Sequence, residues 1–154
     1  MRISILAVGK IKEEWLKEGI FEFSKRLSKY SELVIEEISD VSDEYGIDKS
    51  TGEEGRRLLS RIKDGDFVVA LDVHGQAIDS LTLSEKLVQW MDSAGARITF
   101  IIGGSNGYSE DVLRRANERI ALSKLTFPHQ FTRLILLEQL FRSFKISRSE
   151  KYHK

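Results

Sequence analysis

The sequence predicts an α/β domain built on a largely parallel sheet flanked by helices, and three observations carry that prediction. Two continuous apolar runs, Phe67-Val68-Val69-Ala70-Leu71 and Ile98-Thr99-Phe100-Ile101-Ile102, lack the alternation of a half-solvated strand. They read as central strands covered on both faces. Stretches with helical apolar spacing alternate with strand-like runs, the order that parallel strands joined by crossover helices require. Both central runs then lead into glycine-containing segments, Asp72-Val73-His74-Gly75 and Gly103-Gly104. In an open α/β sheet, ligands bind beyond such carboxyl strand ends.

The elements follow in chain order. Residues 2–8 form a first strand. Residues 13–28 form a helix, with Trp15, Leu16, Ile20, Phe23 and Leu27 on one face. Residues 33–38 suit a second strand, and the polar, acidic stretch 39–50 a loop. A helix over 51–62 opens on Thr51 with Glu54 three residues on, a capping-box pattern. Asp64-Gly65-Asp66 is a turn into the strand 67–71. A helix over 82–91 repeats the cap pattern with Thr82 and Glu85. The strand 97–102 precedes a short helix over 110–117, for which Ser109 is the N-cap and Glu110 and Asp111 the acidic first turn. A brief strand at 120–122, a loop at 123–130, a last helix at 131–144 and a polar tail at 145–154 complete a single domain, 1–154.

Two of these elements carry more than fold. Gly103-Gly104 removes every side chain at the end of a central strand and lets a ligand approach the backbone closely. The ends at 71–75, 102–104 and 122–130 together form a three-loop crevice. The pattern is neither a dinucleotide-binding fingerprint nor a triphosphate loop. The last helix is apolar around most of its circumference, through Phe131, Leu134, Ile135, Leu136, Leu137, Leu140, Phe141 and Phe144. Such a helix is buried on two sides. Its terminal position points to a second subunit as the other side.

Composition bounds the function. The 154 residues carry 24 basic and 24 acidic side chains and no cysteine. That excludes disulfides, zinc–thiolate centres and a cysteine nucleophile, and suits a cytoplasmic protein. No segment has the length of a membrane span or of a signal h-region. Charge is distributed unevenly. Residues 32–54 hold nine acids and one base, whereas residues 113–154 hold ten Lys/Arg against three Glu. A basic C-terminal third is the footprint of a polyanionic partner.

One family matches these residues along the whole chain. AVGK at 7–10, LD at 71–72, IIGGSNG at 101–107, LSKLTFPHQFTRLILLEQLFRSFKI at 122–146 and the terminal YHK at 152–154 closely resemble the bacterial 23S ribosomal RNA pseudouridine N3-methyltransferases of the SPOUT class. The resemblance implies a deep C-terminal trefoil knot, S-adenosylmethionine as methyl donor, a homodimer with the last helix at its interface, and 23S ribosomal RNA in the assembled ribosome as substrate. No metal and no membrane are implied. Carried over residue by residue, Leu71, Gly103 and Gly104 flank the donor, and Leu122, Ser123, Lys124, Leu125, Thr126 and Phe127 wrap its adenine and methionine portions.

Ring N3 of a pseudouridine bears a proton and becomes nucleophilic only on losing it, so a base or an anion stabiliser is required. His129, Arg133, Glu138, Arg142, Tyr152 and His153 are candidates. His153, Tyr152 and Arg142 are the chosen catalytic set, acting on the base from the partner's tail. His129 is read as ordering the cofactor loop and His74 as a surface residue. Two other readings stay open: a SPOUT enzyme acting on another base or on transfer RNA, and a non-catalytic ribosome-binding protein of the same fold.

Overall fold

The computed structural model describes residues 1–93, 95 and 97–154. Its centre is a five-stranded sheet in the order β2-β1-β4-β3-β5, every pair parallel. The strands are β1 (Arg2–Val8), β2 (Glu32–Ile38), β3 (Phe67–Ala77), β4 (Arg97–Ile102) and β5 (Glu118–Ala121). The helices are α1 (Glu14–Leu27), α2 (Ile47–Leu59), α3 (Ser80–Ser93), α4 (Glu110–Arg115) and α5 (His129–Ser147).

Alternation along each buried strand supplies two cores. Ile3, Ile5 and Ala7 of β1, Val69 and Leu71 of β3, and Ile98, Phe100 and Ile102 of β4 face a core shared with α1, α3 and α5. Leu6 and Val8, Val68 and Ala70, and Ile101 face the opposite core with Leu58 of α2 and Val112 of α4. Both faces of the sheet are thus covered, which is why the central runs are apolar except at Thr99, whose hydroxyl donates to Asp66 Oδ2 at 3.2 Å.

Several boundaries differ from the sequence reading. β3 continues past Leu71 to Ala77, pairing again with β5 after an irregularity between Leu71 and Gln76. The polar Asp72 is held there by Arg119, whose Nε and Nη2 donate to Asp72 Oδ2 at 2.9 and 2.6 Å. α2 begins at Ile47, not Thr51, after Gly46 at φ +99°. Thr51 lies inside the helix, its hydroxyl donating to the Ile47 carbonyl at 2.9 Å. The capping-box reading therefore fails, because Glu54 instead accepts from Val41 N–H at 2.9 Å. α3 is capped by Asp79, whose Oδ1 accepts from Thr82 N–H at 2.8 Å. The Ser109 cap of α4 is as predicted, accepting from Val112 N–H. α5 runs three residues beyond its expected end, and it lies between α1 and α3. Its two apolar sides are thus largely covered within its own domain rather than exposed at an edge.

At Gly75, β3 runs close against the β5 backbone. A Cβ there would stand 2.7 Å from the Arg119 carbonyl carbon and 2.8 Å from its oxygen. Backbone cannot step aside as a side chain can. Gly75→Ala is expected to destabilise the domain by about 1–3 kcal/mol, read as a lowered midpoint in urea unfolding. An unchanged midpoint would mean that β5 is not seated against β3 in this register.

Candidate functional site

The carboxyl ends of β3, β4 and β5 enclose a cavity of about 610 Å³. That is the size of a small-molecule site. Leu71, Asp72 and Val73 come from β3. Ile102 ends β4, and residues 103–105, Gly107 and Tyr108 follow it. Ala121 ends β5, Leu122, Ser123 and residues 125–128 follow it, and His129 and Thr132 are added from the start of α5. Of the nine predicted donor-binding residues, eight line this cavity. Lys124 is exposed and is not among the lining residues.

Local chemistry explains the shape. Gly107 N–H donates to the Gly104 carbonyl at 3.1 Å, closing a turn that needs Gly107 at φ +79°. Gly103 has no room for a side chain, since a Cβ would meet the Tyr108 ring at 3.0 Å and the Gly107 oxygen at 3.2 Å. The Tyr108 hydroxyl accepts from Gly103 N–H at 2.9 Å. Its single proton lies between the carbonyls of Leu71 at 2.8 Å and Ile101 at 2.7 Å. One phenol therefore joins the ends of β3 and β4 beneath the glycines. Burial pushes its ionisation far up, so it remains a neutral donor and acceptor. Across the cavity, Ser123 Oγ accepts from Leu125 N–H at 2.9 Å. Among the described residues, 123–127 make no backbone–backbone hydrogen bonds, so their peptide groups other than the Leu125 N–H are available to a ligand.

The wall formed by α5 is anchored from below. Arg133, 1% exposed, donates through Nη1 to Glu37 Oε2 at 2.6 Å and through Nη2 to the Gly9 carbonyl at 2.8 Å. It ties the start of α5, and with it His129 and Thr132, to the ends of β1 and β2. Partial burial works to raise the Glu37 carboxyl, but hydrogen bonds from Arg133 and Ile11 outweigh it and the net shift is downward. The carboxylate is thus favoured in the folded state. Its contribution is fully present above the ordinary glutamate range and is lost as pH falls through the lowered folded-state value. Glu37→Gln is expected to flatten the acid side of the stability–pH curve while leaving a buried cation short of its partner at neutral pH. Unfolding midpoints between pH 3 and 7 check this, and parallel curves for the two proteins would contradict it.

The three predicted catalytic residues come together, but not in the cavity. Glu138 Oε1 accepts from Arg142 Nε at 3.0 Å, Arg142 Nη2 at 2.6 Å and the Tyr152 hydroxyl at 3.1 Å. Arg142 lies over the Tyr152 ring at 4.8 Å, and Tyr152 meets Phe141 edge-on at 4.9 Å. Hydrogen bonding to Glu138 holds the Arg142 guanidinium above its ordinary value, a permanent cation. Burial and the Glu138 charge push the Tyr152 phenol up. Arg142 Nη1 stands 3.2 Å from His153 Nδ1. A guanidinium has only protons to offer, so Nδ1 accepts and the neutral ring carries its proton on Nε2. A recess of about 240 Å³ near the start of α3 shares Leu122, Ser123 and Phe127 with the main cavity and reaches Gln139, whose amide donates to Glu138.

Sequence reasoning missed Tyr108 and the cavity-facing Asp72 and Thr132. Tyr108 was in view beside the glycines, but nothing in the sequence reveals a phenol that closes over two strand ends. Among the described residues, no three His, Cys, Asp or Glu side chains are grouped to hold a metal ion, and no helix is long and apolar enough to cross a membrane.

The chain is similar to known proteins. The model of a family described as predicted SPOUT methyltransferase matches residues 1–153. Proteins named ribosomal RNA large subunit methyltransferase H are similar over all of this chain and all of their own. Identity is 48% for that of Acetivibrio thermocellus, 46% for Ruminiclostridium cellulolyticum and 47% for Clostridium botulinum. Among solved structures, a probable methylase family protein from Haemophilus influenzae matches with a TM-score of 0.50 at 11% identity. That match covers 96% of this chain and 66% of the other, and it speaks for the fold alone.

Proposed function

The chain belongs to the SPOUT methyltransferase family, and on that premise we infer that it methylates large-subunit ribosomal RNA, taking the methyl group from S-adenosylmethionine and placing it on N3 of a pseudouridine. Whole-chain similarity to the large-subunit methyltransferases carries this reading.

The cavity fits the donor. Leu71, Ile102, Leu122, Leu125 and Phe127 supply apolar walls for an adenine, and the peptide groups of the 123–127 loop, the Leu125 N–H apart, supply its hydrogen bonds. Gly103-Gly104 lets the backbone close on the ligand. S-adenosylmethionine, when bound, supplies a methyl carbon activated by its sulfonium. The remaining task is the N3 proton. His153 spends its Nδ1 lone pair on Arg142 and presents Nε2–H. With Arg142 charged but balanced by Glu138, the pair offers hydrogen-bond donors rather than a free base. In this reading they stabilise the N3 anion as its proton leaves to solvent.

The cluster stands outside its own cavity, which favours action on the base held at a partner's cavity. Trp15, 54% exposed on α1, and Phe131, 38% exposed on α5, meet with ring centroids 5.6 Å apart. Leu125, on the cavity loop, is 72% exposed. We take this apolar surface as the face of a homodimer. The trefoil knot stays an expectation from the family.

Methyl transfer from labelled S-adenosylmethionine tests the function. Assembled large subunits are expected to be much better substrates than deproteinised RNA, because one small domain of zero net charge holds naked RNA only weakly, without the contacts that the particle adds. Equal rates on both would refute recognition of the assembled particle. No transfer to either would refute the function.

A further inference from the structure

On the outer side of α1 and α5, away from the donor cavity, a groove of about 340 Å³ is lined by Arg26, Lys29, Lys145 and Lys151 with Tyr30, Phe141 and Tyr152. Its cations are not loose surface chains. Arg26 lies 4.8 Å over Phe23 and 5.8 Å from Phe141. Lys145 stands 5.5 Å from the Phe141 centroid and 5.9 Å from that of Tyr30, and Arg148 lies 4.8 Å over Tyr30. Ring faces hold these side chains extended, so little rotamer freedom remains to be lost on binding an anion.

The charge balance is positive. Glu22 pairs with Arg26 at 3.0 Å, and Glu150 with Lys145 at 2.6 Å. Among the described residues, Lys29, Arg148 and Lys151 have no carboxylate partner. The rings are already occupied by Arg and Lys or by one another, as Tyr30 is by Phe144 at 5.1 Å. They brace cations and do not offer a free stacking platform. The groove also shares Tyr152 with the Glu138–Arg142–His153 cluster.

We propose that this groove binds the phosphate backbone of the RNA strand carrying the target base, and so leads that strand toward Tyr152. The proposal rests on the reading that the substrate is RNA.

The test uses the double variant Lys29→Gln/Arg148→Gln in the full chain. Neither residue belongs to the donor cavity or to the catalytic cluster. Binding of a fluorescent single-stranded oligoribonucleotide is measured between 50 and 200 mM salt. Each lost phosphate contact should reduce the slope of log K against log salt by about 0.7, so the pair should reduce it by about 1.4. Affinity at the lowest salt should fall about tenfold. S-adenosylmethionine affinity and thermal midpoint should match wild type, and Lys29→Arg/Arg148→Lys should restore the slope. A wild-type slope and affinity in the Gln variant, or no oligonucleotide binding by wild type, would overturn the groove. Wild-type methyl transfer to ribosomal subunits, assayed alongside, separates that outcome from failure of the function itself.

Discussion

Deleting Tyr152 to Lys154 is expected to lower methyl transfer about a hundredfold, the scale of a lost acid–base or anion-stabilising group, with S-adenosylmethionine affinity nearly unchanged. The two effects separate because none of the three residues lines the donor cavity. The tail is also tied down. Tyr152 donates to Glu138 and covers Arg142, and His153 accepts from Arg142. A frayed terminus would carry no such set of contacts. Narrower variants read the role of His153. If Nε2–H is the useful group, His153→Gln, which keeps an N–H donor, should retain much more activity than His153→Ala. Equal, complete loss in both would favour a base instead. The trans arrangement requires a dimer, seen in sedimentation as twice 17.6 kDa. It also requires that mixed dimers of one tail-deleted and one cavity-blocked chain regain one working site. Full activity of the truncated protein would remove the tail from the mechanism.

Gly103→Val is expected to abolish donor binding with the fold retained. The first added carbon already stands 3.0 Å from the Tyr108 ring, and the branched remainder must enter the cavity or push the ring aside. Overpacking of this kind costs about 1–3 kcal/mol of folding stability. The cavity space taken by the branched side chain is what lowers affinity, by about a hundredfold or more, roughly 2.8 kcal/mol of binding. Displacing Tyr108 also breaks the hydroxyl's bonds to Gly103 and to the carbonyls of Leu71 and Ile101. Tyr108→Phe keeps the ring and loses only those bonds, so its loss of affinity should be smaller. Calorimetry showing wild-type binding by Gly103→Val would mean that the donor site lies elsewhere.

The sequence disclosed what is local and hid what is long-range. The strands at 67–71 and 98–102 were legible because burial on both faces leaves them almost wholly apolar, Thr99 apart, whose hydroxyl donates to Asp66. The extension of β3 to Ala77 was not, because Asp72, His74 and Gln76 look like loop. They are strand only through pairing with β5 and the Asp72–Arg119 bond. The start of α2 at Ile47 was hidden by an acidic stretch whose turn depends on Gly46 at φ +99°. Three loops of the cavity were legible because glycines and apolar residues follow strand ends. The brace made by Tyr108 and the anchor made by Arg133 were not, because each joins groups from separate strands. The apolar circumference of α5 was legible, but its cause was misplaced. α1 and α3 cover most of it, and the Trp15–Phe131 pair is the apolar part left exposed.

The central claim is that this chain places a methyl group on N3 of a pseudouridine in large-subunit ribosomal RNA. Mass-spectrometric mapping of that RNA from cells with and without the gene tests it most directly. The account predicts one N3-methylated pseudouridine that disappears in the deletion strain, returns with the wild-type chain, and does not return with Gly103→Val. An unchanged methylation map in the deletion strain would contradict it.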